Sequence, residues 1–243
     1  MRIKLVISYD GTNYCGWQKQ KNGVSIQEVL EKAVENATGE SVLATASGRT
    51  DAGVHASGQV VHFDTNATIP AEKFYKALNP FLPSDVKVLS SSLVDGGFNA
   101  RKSAKEKTYE YSFYFAEVDL PLKDRYAVRL EETPDFDKMQ KALELFVGEH
   151  DFKAFSRTGS SVKTTVRRIF SIRLDKKEKG FSISITGGGF LYNMVRIISG
   201  AILDVGYNKI TLLDIERALE TGKRELLGKT LPAKGLTLVK VEY

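Results

Sequence analysis

Nine residues near the middle of the chain, Lys107-Thr-Tyr-Glu-Tyr-Ser-Phe-Tyr-Phe115, set the strongest limit on the fold. Successive side chains of a strand point to opposite faces. Tyr109 and Tyr111 therefore share one face, and Thr108 and Glu110 take the other. Aromatic residues at this spacing predict a strand. Similar runs predict strands over Ile3–Tyr9, Val42–Ser47, Gln59–Asp64, Val86–Val94, Val166–Leu174 and Phe181–Thr186. Between them lie segments of helical period. Ser25 and Glu28 have capping-box spacing, followed by Ile26, Val29, Leu30, Ala33 and Val34, with Gly39 as the stop. Pro70 opens a helix running to about Leu78. Asp137–Phe146, Phe190–Val205 and Leu212–Leu219 read as further helices. The order lacks a regular β-α-β-α beat, so the expected class is α+β, a mixed α/β arrangement with antiparallel-rich sheets flanked by helices. The pattern restarts near residues 95 to 106, which predicts two similar domains, 1–104 and 105–243.

Composition narrows the class of protein. A single cysteine, Cys15, excludes an internal disulfide and fits a reducing, cytoplasmic compartment. Three well-separated histidines and one cysteine argue against a structural zinc site. The opening MRIKLVISYDG is too short and too interrupted for a signal peptide. The most apolar later stretch, GGGFLYNMVRIISGAILDVG, carries Asn193 and Arg196, so it reads as a buried helix rather than a membrane span. The net charge of +5 is mild, but its distribution is not. Lys19 and Lys21 lie together, Arg101 to Lys107 holds one arginine and three lysines, and Arg157 to Arg168 holds four basic residues and no acidic one. Basic loops beside aromatic strands are the ingredients of RNA-binding modules. Two such domains face to face would leave an RNA-binding cleft between them.

One stretch carries candidate chemistry: SGRTDAGVHASG, residues 47–58. Asp51 reads in two ways, as a turn aspartate bonded to its own backbone or as a reacting carboxylate. Arg49, Thr50, His55, Ser57 and Gln59 crowd polar groups into more chain than a simple hairpin needs. The stretch holds no second carboxylate, whereas ordinary glycoside hydrolysis uses a pair. Asp51 would therefore act alone, as a nucleophile or cation stabiliser. It would have to stay ionised, and a neighbouring arginine lowers a carboxylate pKa by about 1–3 units. Arg49 is the near candidate. Arg196, inside an otherwise apolar helix, is the far one. Tyr109, with lysines just upstream, is placed to stack on a base and use its hydroxyl as acid or base. His55 and His62 could serve as general bases but read more readily as structural, and Cys15 has no activating base in sequence. Gly187-Gly188-Gly189 lacks dinucleotide spacing, and no phosphate-binding loop, cofactor site or metal cluster is present in the sequence. A non-catalytic RNA-binding protein or RNA chaperone, and a nucleoside or glycosidic hydrolase, remain as rival readings.

Six segments in order resemble the tRNA pseudouridine synthase A family: YDGTNYCGWQKQ, GRTDAGVHASGQVVHFDT, FNARKSAKEKTYEYSF, GEHDFKAFS, GGGFLYNMVRIISG and LPAKGLTLVKVEY. The resemblance implies the pseudouridine synthase fold and a homodimer. It implies isomerisation of uridine to pseudouridine at positions 38, 39 and 40 of the tRNA anticodon arm, by base flipping and without cofactor or metal. It places Asp51 on the catalytic aspartate, Tyr109 on the active-site tyrosine, and Arg196 on the basic partner of the aspartate. Arg49 falls on the motif arginine that holds the site open while the base is out of the stack. Lys163 and Arg167, together with Arg101 and Lys105 of the basic clusters, are the expected RNA contacts. Whether the aspartate attacks C1′, attacks the base or takes a sugar proton is left open by the resemblance.

Overall fold

In the computed structural model, which describes residues 1–157 and 163–243, the chain divides into two units, Met1–Lys105 with Thr237–Tyr243, and Glu106–Leu236. The first begins with β1 (Arg2–Tyr9), α1 (Ile26–Thr38), β2 (Thr45–Ala46), β3 (His55–Asp64), α2 (Phe74–Leu78) and β4 (Val86–Val94). Strand β1 pairs antiparallel with β3 on one side and β4 on the other, and the register sets Arg2 against Asp64 and Leu5 against Val61. Ile3, Leu5, Ile7 and Tyr9 alternate into the core, as period two requires. Helix α1 buries Ile26, Leu30, Ala33 and Val34. The Ser25 hydroxyl accepts from the Glu28 N–H, and Gly39, at φ 74°, closes the last turn onto the Glu35 carbonyl. Removing such an N-cap costs about 1 kcal/mol.

The strand expected over Val42–Ser47 shrinks to Thr45–Ala46. Side chains of α1 take the backbone of Ala44: its N–H donates to Glu31 and its carbonyl accepts from Gln27. Those groups are spent, so the ladder cannot extend. The helix expected from Pro70 begins instead with a 3₁₀ turn, Ala71–Lys73, before Phe74–Leu78.

The second unit contains β5 (Glu106–Phe115), α3 (Pro121–Asp124), β6 (Val128–Leu130), α4 (Phe136–Glu144), β7 (Gly148–Asp151), β8 (Val166–Lys177), β9 (Gly180–Gly187), α5 (Met194–Gly206) and α6 (Leu212–Thr221). Its sheet runs β5-β9-β8-β7 antiparallel, with β6 parallel to β5. Phe113 stacks on Phe181 at 4.6 Å, and Phe136 meets the same ring edge-on at 5.3 Å. Helix α5 begins at Met194 rather than Phe190, because Asn193 just before it adopts a left-handed backbone, φ 63° and ψ 3°. The class is the expected mixture of helices and mostly antiparallel sheet. Among the described residues no helix is long and apolar enough to cross a membrane.

The chain then returns. Strand β10 (Leu236–Glu242) pairs parallel with β3, Thr237 against His55 and Leu238 against Ala56. The sequence pattern assigned all of 105–243 to one domain, yet residues 237–243 belong with the first unit. They supply β3 with a partner on the side away from β1, where a bare strand edge would leave its N–H and C=O groups unpaired. Tyr243 adds a hydrogen bond of 2.8 Å to the Ala100 carbonyl and lies 4.8 Å from the Phe98 ring. The close approach rests on Gly58, where a Cβ would lie 2.3 Å from the Val239 carbonyl oxygen. Gly58→Ala is expected to push β10 away and destabilise the protein by about 1–3 kcal/mol, read as a lower midpoint in urea unfolding.

Candidate active site

Residues 47–54 connect β2 to β3 and carry Asp51, which is half-buried between exposed Ala52 and buried Thr50. Polar side chains tie this connection down ahead of Asp51, at residues 47, 48 and 50. Gln59 of β3 is fully buried. Its Oε1 accepts from the Ser47 hydroxyl at 2.6 Å, and its Nε2 donates to the Gly48 carbonyl at 3.0 Å. Tyr9, at the end of β1, shares a 2.8 Å hydrogen bond with the Thr50 hydroxyl. Burial pushes the Tyr9 phenol up to about 12, so it works as a neutral hydroxyl. The Trp17 N–H donates to the Thr50 carbonyl at 3.0 Å. Beyond Asp51 the chain turns at once: the Val54 N–H donates to the Asp51 carbonyl at 3.1 Å, and Gly53 sits at φ 77°.

The flanking loop after β1 packs against this turn. At Gly16, φ is 97° and a Cβ would lie 2.5 Å from the Thr50 carbonyl oxygen. Only glycine combines that backbone with that approach. The Gly11 N–H donates to His55 Nδ1 at 3.1 Å, and Asp10 Oδ1 lies 3.2 Å from the same nitrogen. His55 is thus built into the turn after β1. His62 accepts the Ala100 N–H at Nδ1, and burial lowers its pKa, so it stays neutral. Both histidines hold backbone, as their structural reading anticipates. Arg49 is exposed beside Thr50.

In the second unit, β5 presents Tyr109 and Tyr111 on one face, both buried. The Tyr109 ring meets Phe190 edge-to-face at 5.2 Å and 84°. Tyr111 donates to the Pro232 carbonyl at 2.6 Å, and burial pushes its pKa well above the ordinary phenol value. Arg196 lies on the first turn of α5 and is half-buried. Its Nε donates to the Leu231 carbonyl at 2.7 Å and its Nη1 to Asn193 Oδ1 at 2.8 Å. These two directed hydrogen bonds help hold the guanidinium.

The basic candidates divide. Arg101, Lys105 and Lys163 are exposed. Arg167 is half-buried and its Nη1 donates to the carbonyls of Thr164 and Val166, which turns it onto its own strand. Residues 158–162 of the expected RNA-facing loop lie outside the described residues. Among the described residues, no three His, Cys, Asp or Glu side chains gather as a metal site would need. Residue order marks Gln59 and Asn193 only as polar residues among apolar ones; the holding roles of these two, of Tyr9 and Gly16, and of the 231–235 segment emerge only in the structure. Only the two glycines near Tyr9 in YDGTNYCGW hint at close backbone packing there.

The first unit thus carries Asp51 on a pinned turn, and the second carries Tyr109 with its ring braced and Arg196 held at the start of α5. The family model described as tRNA pseudouridine synthase matches residues 5–96 and 142–243, spans that include Asp51 and Arg196. The tRNA pseudouridine synthase A of Acetivibrio thermocellus is 46% identical over 241 residues, 99% of both chains. The enzymes of that name from Clostridium botulinum (strain Eklund 17B) and Caldicellulosiruptor saccharolyticus are 45% and 46% identical over the same length, again covering 99% of each chain. A solved H/ACA ribonucleoprotein bound to a substrate RNA containing 2′-deoxyuridine matches at a TM-score of 0.39 and 15% identity, over 96% of this chain and 59% of that one. This chain belongs to the tRNA pseudouridine synthase A family, a family of isomerases.

Replacing Gly16 with alanine is expected to force the Thr50 carbonyl aside. The left-handed backbone alone costs about 1–3 kcal/mol for a side chain. Thermal unfolding should register that loss, and catalytic turnover should fall more than tRNA affinity.

Proposed function

We propose that this chain converts uridine to pseudouridine at positions 38, 39 and 40 of the tRNA anticodon arm, in the cytoplasm, as a homodimer and without cofactor or metal. One observation carries the reading. Asp51 is the sole carboxylate in residues 47–58 and sits on a turn held by buried side chains before it and by a backbone bond from Val54 after it, in a chain that matches tRNA pseudouridine synthases over 99% of its length.

The reaction breaks the bond from uracil N1 to sugar C1′ and makes a bond from C5 to the same C1′. A proton leaves C5 and N1 gains one, so no oxidant, reductant or water is consumed. Hydrolysis would discard the base and would call for a paired acid and base. Isomerisation keeps the base beside the sugar, and a single carboxylate suffices to bond with or stabilise C1′ while the base turns. The target nucleotide is flipped out of its helix to reach that carboxylate. Arg49 helps hold the vacated position. Tyr109 lies against the uracil and assists loss of the C5 proton. Arg196 keeps Asp51 ionised, as a nearby cation favours the charged form of a carboxylate. Arg101, Lys105, Lys163 and Arg167 meet phosphates and riboses of the arm.

The test uses an anticodon-arm tRNA tritiated at uridine C5, whose label is released only when C5 bonds to carbon. Asp51→Ala and Asp51→Asn should lower release at least about a thousandfold while tRNA binding stays close to that of the unmodified protein. Full release by either variant overturns the role of Asp51. RNA that loses the mass of uracil identifies a hydrolase, and tRNA binding without conversion by the native chain identifies a binding protein.

Arg196→Ala removes a cation that favours the carboxylate. The acid limb of the pH–rate profile is therefore expected to move upward, by about 1 unit or more. An unmoved limb removes the proposed pairing.

A further inference from the structure

Asn193 stands where an asparagine normally caps a helix, immediately before α5. Such a residue usually has an extended backbone and turns its side-chain oxygen onto the N–H of the second or third helical residue. Asn193 does neither. Its backbone is left-handed, φ 63° and ψ 3°, and its side chain makes no capping hydrogen bond. Its Oδ1 instead accepts from Nη1 of Arg196, three residues on, at 2.8 Å. Its carbonyl takes the ordinary first helical bond, from the Ile197 N–H at 3.0 Å, and the Met194 N–H donates to the Leu191 carbonyl at 3.1 Å. The side chain does not cap the helix and is turned onto the guanidinium.

The second holder of that guanidinium is main chain. Nε of Arg196 donates to the Leu231 carbonyl. The segment bearing it is anchored by the Tyr111 hydroxyl on the Pro232 carbonyl, and by Gly235, where a Cβ would lie 2.6 Å from the Tyr111 ring. These two acceptors, one on the Nε edge and one on Nη1, constrain the plane of the fork and the direction of the head. Asn193 is the one of the two that a side-chain substitution can remove. Few residues besides glycine tolerate its backbone, with asparagine and aspartate foremost. Among the described residues only Asn193 and Asn208 have positive φ without being glycine.

We propose that Asn193 is a positioning residue for pseudouridine formation. Its carboxamide, presented by a left-handed helix cap, sets the orientation of the Arg196 guanidinium and through it the charge on the reacting carboxylate. This rests on the role assigned above to Arg196.

The experiment compares Asn193→Gly, Asn193→Asp and Arg196→Ala on the tritiated tRNA. Glycine keeps the left-handed backbone and deletes the acceptor. Aspartate keeps both the backbone and an oxygen facing Nη1. For Asn193→Gly, kcat should fall about tenfold, the size expected for one hydrogen bond to a charged group. KM for tRNA should stay within about twofold, and the acid limb should shift in the same direction as in Arg196→Ala. Asn193→Asp should recover most of the lost kcat. Native kcat and pH profile in Asn193→Gly, with Arg196→Ala impaired, overturn the inference and leave the role of Arg196 standing. Native behaviour in both variants overturns the role of Arg196 itself. Loss of activity in Asn193→Gly that is matched by a fall in melting temperature assigns Asn193 to the fold, and also overturns the proposal.

Discussion

A carboxylate carried by a connection between strands is only as well placed as that connection, and here the placement depends on buried polar pairing beneath it. Gln59 holds Ser47 and Gly48, and Tyr9 holds Thr50, so the chain reaching Asp51 is tied by hydrogen bonds inside the unit rather than at its surface. Breaking such a buried bond leaves a polar group unsatisfied, at a cost of about 1–3 kcal/mol. The same energetics that stabilise the first unit therefore fix the turn. Strand register follows from it: Gln59 is opposite Ile7 and Ala56 opposite Tyr9, which brings the end of β1 beneath the turn.

The second unit uses a different device. Arg196 sits in a helix whose other first-turn residues are buried and apolar. A charged group there needs partners, and the fold supplies a carbonyl and a carboxamide from chain segments far apart and near in sequence, Leu231 and Asn193. The aromatic strand β5 serves both tasks at once. Tyr109 is braced by Phe190, while Tyr111, on the same face, anchors the segment that holds Arg196. Hydrogen bonds of this kind fix the direction of a charged group before anything binds, and under the role proposed for Arg196 that is the preorganised charge from which enzymes gain most of their electrostatic advantage.

Much of this was legible in residue order because it depends on local chemistry. Val86–Val94 is a strand with the bounds its pattern implies, and the helix after Ser25 starts and stops at its cap residues. Asp51, Tyr109 and Arg196 stood out as residue types in unexpected company: a carboxylate among glycines, a tyrosine beside lysines, an arginine in an apolar helix. What escaped depends on distant partners or on a backbone conformation that periodicity does not record. Val42–Ala44 looked like part of a strand running to Ser47, yet α1 takes the backbone of Ala44. Phe190–Asn193 looked like helix, yet Asn193 turns left-handed and directs its side chain to Arg196. The last residues looked like the end of the second domain, yet β10 completes the sheet of the first.

The sequence by itself determined the alternation of strands and helices, the candidate reacting groups, and the family that the chain resembles, since periodicity, caps and motif spacing are written along the chain. Only the tertiary structure decided how Gln59, Tyr9 and Gly16 hold the Asp51 turn, how Asn193 and Leu231 hold Arg196, and where the chain's last strand goes. Most of those outcomes are set by hydrogen bonds and close approaches between residues twelve or more positions apart, and the Asn193–Arg196 bond, three positions apart, by a left-handed backbone that a helical period does not show. Such contacts are selected by packing in space, and residue order along the chain carries no direct record of them.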